Sequence, residues 1–224
     1  MDYRVLSIGT LSVHELWQQQ GPARTPHATT TLVRSGDRRI LVDPGLPPQV
    51  ITARLAERSG LSPEDISDVF LTNFRPSHRW GITAFPNARW LIHEPEREQI
   101  GQGLIAQFQE SEDEEQRKLL EREIALLKKC ENAPDSLAPH VDLFPLPGFT
   151  PGTCGLILSQ PQSTILIAGD AVATAEHLEA GRVLRHTGDV DKARESLAEA
   201  IEIADAIICG HDNLVLNPTR RFGA

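Results

Sequence analysis

Eight histidines and three cysteines are the residues of this chain best able to bind a metal or act as nucleophiles. Imidazole nitrogens combined with carboxylates suit zinc, iron or manganese, so the histidines come first. His78 lies in the string NFRPSHRWG, and His211 follows a glycine in CGHD. His27 lies in a loop rich in proline, and His93 follows a strand-like run, at the surface or capping the next helix. His177 and His186 fall in AEHLEAGRVLRH, whereas His14 and His140 have no informative context. Cys130, Cys154 and Cys209 are odd in number and far apart, which fits a reducing, cytoplasmic setting better than a disulfide framework.

The chain that must position these residues has 224 positions, 40% hydrophobic and 24% charged, an ordinary globular composition. Its 22 basic and 31 acidic residues give a net charge of -9, which disfavours binding to phosphate backbones. No apolar run approaches the roughly 20 residues that span a bilayer, and the start MDYRVLSIGTLSVHELW reads as no signal peptide. Composition thus excludes a membrane protein, a disulfide mini-protein and an ordinary nucleic-acid binder.

Strands are expected over 3–8 and 11–17, followed by a polar loop over 18–28. Residues 29–34 and 39–43 flank Ser35-Gly36-Asp37-Arg38, a hairpin signature. Apolar spacing and Gly60 mark a helix over 48–59, and Ser62-Pro63-Glu64-Asp65 starts a short helical turn. Short buried strands follow over 69–72 and 89–93. Residues 95–132 read as an inserted α-helical hairpin, a solvated two-helix cover on the core or else a lid or dimer surface. Three strand-like segments, a helix over 191–204 and a last strand over 206–210 complete an α+β pattern, expected to form a single domain over 1–224.

Five strings in order, LVDPGLP (41–47), VFLTNFRPSHRWGITAFPNARWLIHEPE (69–96), LPGFTPGTCGLIL (146–158), TILIAGDAV (164–172) and AIICGHD (206–212), together resemble the metallo-β-lactamase-fold superfamily. The resemblance implies a four-layer αββα sandwich with a metal site at one edge. The family signature is H-x-H-x-D-H, then a later His, a Gly-Asp and a Gly-His. Here the signature positions are Asn73, Arg75, Ser77 and His78, and the later His is replaced by Thr153; Asp170 and His211 are kept. By resemblance, the first ion of the usual pair loses all three imidazoles. The second keeps His78, Asp170 and His211, with a weak hydroxyl at Ser77. A guanidinium stays protonated and cannot ligate a cation, so Arg75 puts a fixed positive charge near the place of the lost ion. A two-metal mechanism is thereby excluded.

Two readings of the surviving set stay open. One divalent ion (Zn, Fe or Mn) at His78, Asp170 and His211 would make a mononuclear hydrolase of a small ester, thioester or lactone. Arg75 and Asp170 are then the catalytic candidates, with Arg75 stabilising an oxyanion. Alternatively no metal binds, His78, Asp170 and Arg75 form a hydrogen-bonded ion cluster in its place, and the protein is an inactive pseudoenzyme that binds a ligand or partner. An oxygen-reducing di-iron activity is disfavoured by the lost ligands. Asn73, Ser77, Trp80, Phe149, Thr153 and His27 are expected to line the substrate cleft. By resemblance, Asp43 supports the ligand histidines. Cys154 and Cys209 are read as core thiols, because neighbours of inward residues on a strand point away. The expected partner is a small molecule, with no nucleic acid and no membrane; a homo-oligomer is left open.

Overall fold

The computed structural model describes residues 1–17 and 23–219. The first sheet runs β1 (Asp2–Ser7), β2 (Thr30–Ser35), β3 (Arg38–Val42), β4 (Asp68–Leu71), β5 (Arg89–Ile92) and β6 (Cys130–Asn132), in that spatial order. The second contains β7 (Ser136–Ala138), β8 (Val141–Pro145), β9 (Cys154–Gln160), β10 (Ser163–Gly169), β11 (Ala206–Cys209) and β12 (Leu214–Leu216), with β12 and β7 at its edges. Hairpins pair antiparallel, whereas β3–β4–β5 and β10–β11 pair parallel across helical crossovers.

Strand alternation builds the layers. In β3, Ile40 and Val42 face the second sheet, while Leu41 faces the helices. In β10, Ile165 and Ile167 face the first sheet, and Leu166 and Ala168 face the other way. Val33, Phe70 and Leu91 meet Val141, Leu156 and Ile208 between the sheets. Helix α1 (Pro48–Ser59) buries Ile51 and Leu55 on the outer face of the first sheet. Helix α6 (Val190–Ile203), which follows the short α5 (Ala175–Ala180), buries Leu197 and Ala200 on that of the second. The order helix, sheet, sheet, helix is the expected four-layer arrangement.

The expected hairpin, the helix with its left-handed Gly60 stop, and the two-helix insertion are all present. The insertion comprises α3 (Glu94–Glu110) and α4 (Glu114–Lys128), between β5 and β6. Its inner face is not only solvated cover: Leu127 joins the core, and Glu96 is fully buried. The expected strand over 11–17 is absent. Thr10 makes one isolated bridge to His27, and 11–17 run on as bends and turns, with no strand among the described residues paired to them. Residues 18–22 of the expected polar loop lie outside the described residues. Among the described residues, no helix is long and apolar enough to cross a membrane.

Candidate metal centre

The site forms where strand ends of both sheets converge. β4 runs out into Thr72-Asn73, and the four-residue helix α2 (Pro76–Arg79) carries His78 back over that end. β10 ends at Gly169, whose φ of 55° and close contact with Thr72 exclude a side chain; a Cβ there would lie 2.5 Å from Thr72 Oγ1. This close approach delivers Asp170. His211 follows β11 through Gly210.

His78, Asp170 and His211 are all buried, and each offers a donor atom within 4.8 Å of the others. His78 Nε2 lies 2.8 Å from Asp170 Oδ2, and His211 Nε2 lies 2.9 Å from Asp170 Oδ1. The opposite nitrogens are held by acceptors. His78 Nδ1 faces Asp43 Oδ2 at 3.0 Å and the Thr72 hydroxyl at 3.1 Å; that hydroxyl donates its own proton to Asp43. His211 Nδ1 faces the carbonyls of Thr10 and His27 at 3.1 and 3.0 Å. Both Nδ1 atoms therefore donate, which leaves each Nε2 to face the same carboxylate across either a proton or a cation. Asp170 Oδ1 is buried with only His211 Nε2 close to it, a position that either a proton or a cation between the two atoms satisfies.

Electrostatics point the same way. Burial alone would push the His78 imidazolium down, but the carboxylates of Asp170 and Asp43 outweigh it and raise the pKa to about 10. Burial alone would raise Asp170, but the two imidazoles hold it well below the usual carboxylate range. The pocket demands positive charge, and either a proton or a divalent ion can meet that demand. The donor set, two imidazoles and a carboxylate with the imidazole tautomers fixed by a carboxylate and by carbonyls, fits one ion.

The other expected residues divide by position. Asn73 is buried in the site, where its Nδ2 donates to Asp170 Oδ2 at 2.9 Å and its Oδ1 accepts the Arg75 N–H. Arg75, Ser77 and Phe149 line a cleft of about 220 Å³ that opens onto Asp170 and His211. The Arg75 guanidinium lies 5.1 Å from the centre of the Phe149 ring, and among the described residues no ion pair joins it to Asp170. Trp80 is 49% exposed and lines a separate hollow with Thr25, Pro76, Ile82 and Leu126. Thr153 is buried against Thr150, whose N–H it accepts at 3.0 Å. The His27 ring turns to the Ile8 carbonyl at 3.2 Å and lines a groove with Arg54 and Arg58; only its backbone carbonyl reaches His211. His177 is buried against Thr174, and His186 lines the cleft instead. His93 bonds the Gly152 carbonyl and caps no helix with its side chain.

Asp43 adopts a left-handed φ of 50°, aiming its carboxylate at both His78 and the Thr72 N–H. Glu96 was not anticipated. Its Oε1 accepts from the Phe74 N–H at 2.9 Å and its Oε2 from the Gly152 N–H at 3.1 Å, tying the Asn73–His78 loop to the 150–153 turn. In the sequence Glu96 is only an acidic residue near a helix start. Residues Leu11, Ser12 and Val13 were also missed as cleft wall.

A family model for the metallo-beta-lactamase superfamily matches residues 24–211. No curated protein matches the sequence. Among solved structures, AidC, a dizinc quorum-quenching lactonase in complex with a product, is 22% identical with a TM-score of 0.64, over 78% of this chain and 67% of that one. A mutant of AiiA from B. thuringiensis, with N-decanoyl-L-homoserine bound at its active site, is 20% identical with a TM-score of 0.64, over 94% and 92%. The hydrolase AbOPH of the beta lactamase superfamily is 17% identical with a TM-score of 0.62, over 91% and 83%. At these identities the structures show the shared fold. With its two sheets between helical layers and its polar site at the strand ends, the chain belongs to the metallo-beta-lactamase superfamily.

Proposed function

We propose that this protein is a metal-dependent hydrolase of a small ester, thioester or lactone, with one divalent ion, and not two, at His78, Asp170 and His211. The observation that carries this reading is the convergence of both Nε2 atoms on Asp170, with both Nδ1 atoms committed to acceptors. When bound, such an ion lowers the pKa of a water to about 7 and polarises a carbonyl. Asp43 and Thr72 fix the tautomer of His78, and the Thr10 and His27 carbonyls fix that of His211. Asn73 stands at a signature position otherwise held by a ligand imidazole and steadies Asp170 through its amide N–H. Its Oδ1 is taken by the Arg75 N–H, and the Arg75 guanidinium has no lone pair to offer a second ion. Leu11, Val13, Phe149 and Leu184 give the cleft an apolar wall. The lactonase AidC and the AiiA mutant, each carrying an acyl-homoserine, lend support to the lactone end of the substrate range. The three unpaired, buried cysteines support a reducing, cytoplasmic setting.

One feature favours the metal-free alternative. Asn73 and His78 both hydrogen-bond Asp170 Oδ2 directly, so a protonated His78 satisfies the pocket without an ion. Metal analysis of protein purified without chelator or nickel affinity, beside His211→Ala, separates the readings. About one equivalent of zinc, iron or manganese, lost in the variant, is the expected result. Absence of metal even after incubation with excess zinc or manganese would sink the hydrolase reading and leave a ligand-binding cleft.

A further inference from the structure

We propose that the cleft is built for a small substrate carrying its own carboxylate, and that Arg75 is the residue that recognises it. The hydrolysed bond rests on the hydrolase reading above; the recognition of the anion does not. Arg75 precedes the first turn of α2 in extended conformation, with its N–H tied to Asn73 Oδ1 at 2.9 Å, so its backbone is anchored beside the metal ligands. Its guanidinium rests on the face of Phe149 and is exposed to the cleft. Among the described residues, no carboxylate pairs with it, whereas Arg38 and Arg89 are paired with Asp68, Arg79 with Glu123 and Arg34 with Asp2.

The two carboxylates in the cleft wall are already committed. Asp170 is turned to His78, His211 and Asn73. Glu15 accepts the Arg185 N–H and pairs with the Arg185 side chain at 3.7 Å. The cleft therefore presents a planar, five-donor cation that no carboxylate among the described residues neutralises, on a chain of net charge -9. A stacked guanidinium is shaped for bidentate contact with a carboxylate and draws anions to the cleft mouth. The volume of about 220 Å³ falls below the usual range of about 300–1,000 Å³ for drug-sized ligands. The substrate class that fits is a short half-ester or half-thioester of a dicarboxylic acid. The oxygen of water bonds the acyl carbon as the C–O or C–S bond breaks; one proton of the water goes to the departing alcohol or thiol, the other to solvent, and a dicarboxylate remains. No oxidant or second substrate is needed. Arg75 is thereby assigned to the charge of the substrate rather than to a developing oxyanion.

The test uses zinc-loaded protein and two pairs of probes. Succinate and its neutral isostere succinamide are compared by titration calorimetry, and monoethyl succinate and ethyl butyrate by acid release. The expected result is at least tenfold tighter binding of succinate than of succinamide, abolished in Arg75→Gln and partly kept in Arg75→Lys, with metal content unchanged. Monoethyl succinate is hydrolysed with the lower KM, and that advantage disappears in Arg75→Gln. Equal binding of the two probes, or a succinate preference that survives Arg75→Gln, overturns the proposal. Selective succinate binding with neither ester hydrolysed upholds the anion site and instead rejects the hydrolase reading.

Discussion

Asp170 meets two imidazoles through the same type of nitrogen, and the residues behind those imidazoles decide what can lie between them. Asp43 is the most informative of these. Asn tolerates its left-handed backbone, so Asp43→Asn removes the charge and one of the two acceptor oxygens without straining the chain. The expected effect is a loss of about 10–100-fold in metal affinity, read by competition with a chelator. Unchanged affinity would mean that His78 needs no carboxylate behind it. Metal removal exposes a second effect. In the metal-free protein the His78 pKa is raised from 6.5 to about 10, so the proton it holds stabilises the fold fully below about pH 6.5. That contribution disappears as pH rises toward about 10. Urea denaturation of the metal-free protein should therefore show a falling midpoint over this window, with the metal-loaded protein lacking the decline. A flat midpoint in the metal-free protein would contradict the buried imidazolium.

The helical hairpin belongs to the site as much as to the core. Glu96 of α3 ties together the two loops that flank the cleft, and Glu123 of α4 holds Arg79, whose Nε donates to the Phe74 carbonyl at 2.7 Å. Glu96→Ala strands two buried N–H groups, each worth roughly 1–3 kcal/mol. Destabilisation of about 2–5 kcal/mol is expected by chemical denaturation, together with weaker metal binding. A loss under about 1 kcal/mol would show that water takes over both contacts. Gly169→Ala acts at the opposite strand end. A Cβ would crowd Thr72 and oppose the positive φ, so a loss of about 1–3 kcal/mol is expected from the same assay. A neutral result would mean that Asp170 is delivered without this close approach.

Across the molecule, the three thiols report how the layers close. Burial pushes the Cys130 thiol up to about 11, that of Cys154 up to about 12 and that of Cys209 higher still, and all three are free. Cys154 lies between the sheets, Cys209 between the second sheet and its helices, and Cys130 under the hairpin. An aromatic disulfide reagent at neutral pH should find almost no reactive thiol in the native protein and all three after denaturation. Fast labelling of one thiol would reveal local opening of the layer that covers it.

The sequence by itself determined the elements whose signals are local. The Ser35–Arg38 hairpin turn, the Gly60 stop and the apolar face of the helix over 191–204 need only neighbours in the chain to act. Ordered short strings also made the superfamily legible, and with it His78, Asp170 and His211. The shortest strands, β6, β7 and β12, carry three residues each, too few to show a period, and were not anticipated. Only the tertiary structure decided which side of a loop each side chain takes. It turned Trp80 and the His27 ring away from the cleft, set Arg75 on Phe149 and brought the 11–17 segment in as a wall. It also buried Glu96, because the carboxylate there meets N–H groups from loops 22 and 56 residues away in the chain. Such contacts are set by where strand ends converge, and no local pattern encodes that.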